Sequence, residues 1–105
     1  MNKVIAMKKA HKWDIVEYLE TEEDMAAYLN AALEDGDPAI LSAALGDIAR
    51  AKGMTQLARE TGVTRDGLYK ALSSTGNPSF DMVNKVIKAL GMHIEVAASS
   101  AQSVL

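Results

Sequence analysis

Cysteine is absent from the 105 residues. That excludes disulfides and thiolate metal sites, and it fits a reducing cytoplasm. No apolar run reaches the roughly 18 residues that a membrane-spanning helix needs. The N-terminal Met-Asn-Lys-Val-Ile-Ala-Met-Lys-Lys has lysines but no long apolar core, so we read it as a retained segment and not as a signal peptide. Internal repeats and low-complexity tracts are missing too. One absence is local: residues 13–49 contain neither lysine nor arginine.

That stretch instead carries ten acidic residues, a block of charge −10. Residues 1–12 hold four lysines and no acid, and residues 50–90 hold seven basic and three acidic residues, a net +4. The formal net charge of −3 therefore hides a basic, acidic, basic order. Such sorting suggests two unlike partners or surfaces. The acidic block suits a basic protein, or is a solvated face with acids at helix N-termini. At 49% hydrophobic residues the chain is not a disordered acidic tail, and its length suits one domain over 1–105.

Caps and periods divide that domain. Residues 1–12 form an N-terminal arm in which Val4, Ile5 and Met7 are candidates for a short strand or a loose segment. Asp14, with Glu17 three residues on, is a candidate capping box for a short helix anchored by Trp13, Val16 and Leu19. Thr21 opens the next helix, with Glu22, Glu23 and Asp24 in the first turn. Its apolar stripe is Met25, Leu29, Ala32 and Leu33, and Gly36 ends it. Asp37-Pro38 restarts a helix as cap and first residue, with Leu41, Ala44, Leu45 and Ile48 buried and Gly53 as its end. A turn-rich loop, including Gly76-Asn77-Pro78, precedes a helix capped by Ser79. That helix is lined by Phe80, Val83, Ile87 and Leu90 and stopped by Gly91. Met92, Ile94 and Val96 alternate with His93 and Glu95, the period of a strand with one buried face. A single strand cannot stand alone, so it should pair with the N-terminal segment or with its copy in a dimer. The remainder of 92–105 reads as a frayed tail.

Residues 54–72, Met-Thr-Gln-Leu-Ala-Arg-Glu-Thr-Gly-Val-Thr-Arg-Asp-Gly-Leu-Tyr-Lys-Ala-Leu, are the most informative stretch. Leu57 and Ala58 share one face of a helix starting at Thr55. Gly62 supplies the turn, Val63 plugs the angle and Thr64 caps a second helix. Leu68, Ala71 and Leu72 bury one side of that helix, leaving Arg65, Asp66, Tyr69 and Lys70 on the other. This is the pattern of a helix-turn-helix whose second helix enters the major groove. A plain helical hairpin has the same turn but does not require those polar groups. Arg65 can bond guanine O6 and N7 together, or pair with Asp66 or a phosphate. Asp66 can accept from cytosine N4 or orient Arg65. Tyr69 can touch a thymine methyl or a phosphate, or be partly buried. Lys70, Arg59, Lys52 and Lys85 suit phosphates or are plain surface charges. Gly67 allows either close approach to the groove or packing beneath a neighbouring helix.

No nucleophile–base pair, phosphate loop or cofactor motif is present, so we expect no enzyme, no cofactor and no metal. His93 is a lone histidine, His11 sits among lysines, and Glu22, Glu23 and Asp24 are consecutive on a helix and diverge.

The helix-turn-helix with a packing helix after it resembles lambda-repressor-like domains. Over residues 13–91 the likeness is closer to the addiction module antidote proteins. It is carried by Trp13-Asp14-Ile15-Val16-Glu17-Tyr18-Leu19, Tyr28-Leu29 and Ala44-Leu45-Gly46-Asp47-Ile48-Ala49-Arg50-Ala51-Lys52-Gly53-Met54. It continues through Leu68-Tyr69-Lys70-Ala71-Leu72 and Gly76-Asn77-Pro78-Ser79-Phe80. The resemblance implies a HigA-like type II antitoxin. Such a protein binds a small basic RelE/HigB-like ribonuclease toxin and represses its own operon as a cytoplasmic homodimer, with Thr64, Arg65, Asp66, Tyr69, Lys70 and Arg59 at the operator DNA. The fold it implies is mainly α, a compact five-helix lambda-repressor-like domain with a short C-terminal strand. The pattern departs at Gln56, which abuts Leu57 where many such domains have two more residues. A phosphate contact is therefore not carried over to Gln56. Alternative readings are a module that only neutralises a toxin and a stand-alone repressor.

Overall fold

The computed structural model describes residues 12–99. The expected strand at Val4, Ile5 and Met7, the arm before Lys12, the side-chain anchorage of Trp13 and the last six residues of the tail lie outside the described residues. Six α-helices follow one another: α1 Lys12–Tyr18, α2 Glu22–Asp35, α3 Pro38–Lys52, α4 Met54–Thr61, α5 Arg65–Ala71 and α6 Phe80–Ala89. Among the described residues the count is six, not five. None of these helices is long and apolar enough to cross a membrane.

Local chemistry fixes most of the boundaries. Thr21 and Asp24 form a reciprocal capping box. The Thr21 Oγ1 accepts from the Asp24 N–H at 3.0 Å, and the Asp24 Oδ2 accepts from the Thr21 N–H at 3.2 Å. Asp37 accepts from the Ala39 N–H at 2.9 Å, with Pro38 in the first turn. Ser79 accepts from the Met82 N–H at 3.1 Å. Each such cap is worth ~1 kcal/mol. Two expectations shift. Asp14 lies inside α1 and not before it, so it does not cap that helix. The motif's first helix begins at Met54, because Gly53 ends α3 and starts α4 without a side-chain cap.

Helix α3 is the hub. It packs against α1, α2, α4 and α5, while α6 lies on α4. Ala44, Leu45, Gly46, Asp47, Ile48 and Ala49 are all buried, so nearly every side of α3's second half is covered. Small residues let the neighbours approach. Leu45, Ile48, Leu57, Leu68, Val86 and Leu90 are the largest fully buried side chains. They come from α3, α4, α5, α6 and the residue after α6, so one core joins the motif to its support. Each contributes ~1.5–3 kcal/mol by leaving water.

Two stripe residues fall outside this core. Leu33 is 52% exposed, in the last turn of α2, and Phe80 is 71% exposed, at the first residue of α6. Val86 takes the core position on α6 instead. The expected strand at 92–96 is not seen: no strand forms among the described residues. The Met92 N–H donates to the Ile87 carbonyl at 3.1 Å, and beyond it no backbone group of residues 93–99 pairs with another described backbone group. A strand needs a neighbour to take those hydrogen bonds.

Gly46 marks a close approach between α3 and the end of α5. A Cβ built there would lie 2.1 Å from the Leu72 carbonyl oxygen at the end of α5. Helix propensity alone favours Gly46→Ala by ~1 kcal/mol, whereas the contact predicts that the helices are forced apart. We expect a net loss of ~1–3 kcal/mol, read as a lower urea midpoint. A raised midpoint would show that α3 and α5 can separate freely.

Candidate nucleic-acid interface

The interface starts from the turn. Gly62 adopts the left-handed conformation, φ 76°, that closes α4. The Thr61 Oγ1 donates to the Leu57 carbonyl at 2.8 Å and accepts from the Val63 N–H at 3.2 Å, holding the chain as it turns. Thr64 then caps α5, its Oγ1 accepting from the Gly67 N–H at 3.0 Å. The hydroxyl proton of Thr64 is not used by that bond, and the residue is exposed.

Gly67 has a reason that neither sequence reading supplied. A Cβ there would sit 3.0 Å from the Thr64 Oγ1 and 3.2 Å from the Val63 Cγ1. The glycine makes room for the cap and turn of its own helix.

Thr64, Arg65, Asp66 and Tyr69 line one open concavity on the surface of α5. Leu68, on the other side, is fully buried. Arg65 does not pair with Asp66. It turns to Tyr69, its Nη2 donating to the phenol oxygen at 3.4 Å and its guanidinium carbon lying 5.7 Å from the ring centre. An exposed contact of this kind is worth ~0.5–1 kcal/mol, less than the ~1–3 kcal/mol of a two-point guanine contact. Tyr69 thus parks the guanidinium in the open without committing it. Tyr69 itself is 44% exposed, so part of the ring is covered and part is open to solvent.

Other sequence candidates lie apart. Lys70 and Arg59 are exposed, in the last turns of α5 and α4, and neither lines this concavity. Lys85 pairs with Asp81 at 3.1 Å, and the Gln56 amide donates to Glu60 at 3.1 Å. Lys52 is half-buried near the end of α3. His93 pairs with Glu95 at 3.2 Å, both well exposed.

A polar group beneath the motif was missed from sequence. Asp47 on α3 is buried, yet it accepts from the Tyr28 hydroxyl at 2.7 Å and also pairs with Arg50. The group braces α2 against α3 and leaves no buried side-chain polar atom unpartnered among the described residues. The available signal was an aspartate set in an apolar stripe, three residues before an arginine. Its tyrosine partner lies nineteen residues earlier and could not be read locally. Burial, then the hydrogen bond to Asp47 and its charge, raise the Tyr28 phenol well above its ordinary value of 10.0, with Arg50 opposing.

Comparison with known proteins adds a family. The sequence profile of the family described as "Probable addiction module antidote protein" matches residues 9–98. An uncharacterised protein of Haemophilus influenzae is 49% identical over 87 residues, covering 83% of this chain and 90% of that relative. No solved structure matches the chain.

The Tyr28 shift has a definite sign. The unfolded phenol ionises near 10, whereas the folded one holds its proton to higher pH. Its stabilising effect is therefore complete below about pH 10 and is lost as pH rises from there towards the folded value. Tyr28→Phe should cost ~1–3 kcal/mol at neutral pH, because Asp47 loses a donor. It should also flatten the alkaline fall in stability. Urea titrations at about pH 8 and about pH 11 check this; equal slopes in both proteins would refute it.

Proposed function

The chain belongs to the probable addiction module antidote proteins, and on that footing we propose that it is a HigA-like antitoxin of a type II toxin–antitoxin pair which also represses its own operon. In this reading α4 and α5 act as a lambda-repressor-like helix-turn-helix. The N-terminal residues of α5 meet base edges in the major groove. Arg65 leaves Tyr69 to bond guanine O6 and N7, and Asp66 accepts from cytosine N4 or steadies Arg65. Thr64 donates its free hydroxyl proton to a phosphate, and Tyr69 meets a phosphate or a thymine methyl. Lys70 and Arg59 add phosphate attraction from either side of the readers. The protein works by binding and not by catalysis, in the cytoplasm, as a homodimer on a two-fold operator.

The observation that carries this reading is the convergence of Thr64, Arg65, Asp66 and Tyr69 on one open surface, within a block of net charge +4. The shorter α4 does not weaken it, because the groups proposed to read DNA sit on α5 and its cap. Fluorescence anisotropy at fixed salt is the test. The wild type should prefer the DNA upstream of its own gene to random DNA, and Arg65→Ala should weaken that specific binding by ~1–3 kcal/mol while changing random-DNA binding little. Equal wild-type affinity for both DNAs would sink the repressor reading.

The toxin-neutralising half of the proposal draws on a second observation. Glu34 and Asp35 are exposed in the last turn of α2, which has no basic residue there. Acids at a helix C-terminus oppose the dipole by ~0.3–1 kcal/mol, so their presence does not serve the helix. In our reading they help to hold a small basic RelE/HigB-like ribonuclease. Truncating residues 1–20 is not a clean test, because it removes the buried Ile15 and Leu19. Glu34→Lys with Asp35→Lys is cleaner. The pair should leave stability equal or slightly higher yet reduce rescue when co-expressed with the toxin encoded beside it. Undiminished rescue would clear these two acids of the role.

A further inference from the structure

Residues 92–96, Met-His-Ile-Glu-Val, follow α6 outside any helix, with apolar and polar residues alternating along the sequence. Val96 is 95% exposed and Ile94 is 41% exposed. Met92 and Ile94 line a groove with Leu29 and Leu33 of α2 and Ile87 of α6. His93 and Glu95 border the same groove, and backbone groups beyond Met92 have no described backbone partner.

We propose that two copies of this chain pair their residues 92–96 as antiparallel strands about a two-fold axis at Ile94. The use of such a dimer on DNA rests on the reading above; the pairing itself does not.

The order of the five residues selects both the partner and the register. With the axis at Ile94, Met92 faces the second copy's Val96, Ile94 faces Ile94, and His93 faces Glu95 twice over. Apolar groups share one side and opposite polarities share the other, the arrangement that stabilises cross-strand pairs. A slip of one residue sets apolar against polar positions. A slip of two sets Glu95 against Glu95 or His93 against His93, and parallel pairing does the same. His93 and Glu95 already meet within one chain at 3.2 Å, so pairing would join four such groups in alternating order. An isolated two-stranded ribbon is marginal in water, and packing against a helix is what makes it persist. The groove supplies that packing. Val96, bare in one copy, would lie beside Met92 of the other, next to α2 and α6.

Sedimentation equilibrium of the full chain, without DNA or toxin, tests the proposal. The wild type should dimerise. Ile94→Lys, which sets two lysines face to face, should raise the dimer Kd at least ~10-fold, and His93→Glu should raise it several-fold. Adding Glu95→Lys to His93→Glu should restore it to within about threefold of wild type, because a glutamate of one copy then faces a lysine of the other. Circular dichroism confirms that the helices persist, and His93 and Glu95 are too exposed for their exchange to unfold the protein. A monomeric wild type, or a dimer indifferent to Ile94→Lys, would overturn the pairing. Failure of the double exchange to restore dimerisation would overturn the register. A dimer behaving as expected but lacking operator preference overturns the repressor reading and leaves this inference standing.

Discussion

The contact between Gly46 and the Leu72 carbonyl sets the direction of the candidate DNA-reading surface. Helix α5 has seven residues and few contacts of its own, so it depends on what lies beneath. Leu68 and Leu72 are pressed into the core, and the end of the helix comes so close to α3 that a methyl group cannot intervene. With one side thus seated, Arg65, Asp66 and Tyr69 have only the outside left to face. The polar surface of α5 is a consequence of the glycine on α3 as much as of its own sequence.

Helix α3 can serve as that foundation because it is itself held on several sides. Asp47 is an unusual resident of such a helix, since a buried carboxylate is costly unless fully partnered. Tyr28 and Arg50 provide the partners, one from the acidic helix α2 and one from α3 itself. Tyr28 and Asp47 both belong to the acid-rich stretch 13–49, so the specific polar contact, added to apolar packing, fixes α2 against α3 within that stretch. A shift of α2 that broke the tyrosine bond would leave Asp47 under-partnered in the interior, so the placement of α2 on α3 is tightly defined.

What was legible in the sequence was local. Thr21 with Asp24, Asp37 with Pro38, Gly62 with Thr64, and Ser79 act over two to four residues, and each stands where its spacing indicated. Thr64, Arg65, Asp66 and Tyr69 came together because a cap and one and a half helical turns place them, whatever the rest of the chain does. The failures share the opposite property. Phe80 and Leu33 obey the helical period but lie at helix ends, where the neighbouring helix has run out. Gly46 and Gly67 owe their identities to atoms that only the folded chain brings near. The strand at 92–96 had the right alternation, but alternation describes one side of a ladder, and the other side is not among the described residues of the same chain. The role of Gln56, in doubt from the missing two residues, is that of an exposed partner to Glu60.

The links between the central helices are very short: Gly53 alone between α3 and α4, and three residues between α4 and α5. In kinetic terms, most of the contacts that build the motif form between near neighbours in the chain, so little loop-closure entropy stands in the way. Helical domains of that kind fold on the order of microseconds to milliseconds. A helix pair linked this closely re-forms quickly after any local opening.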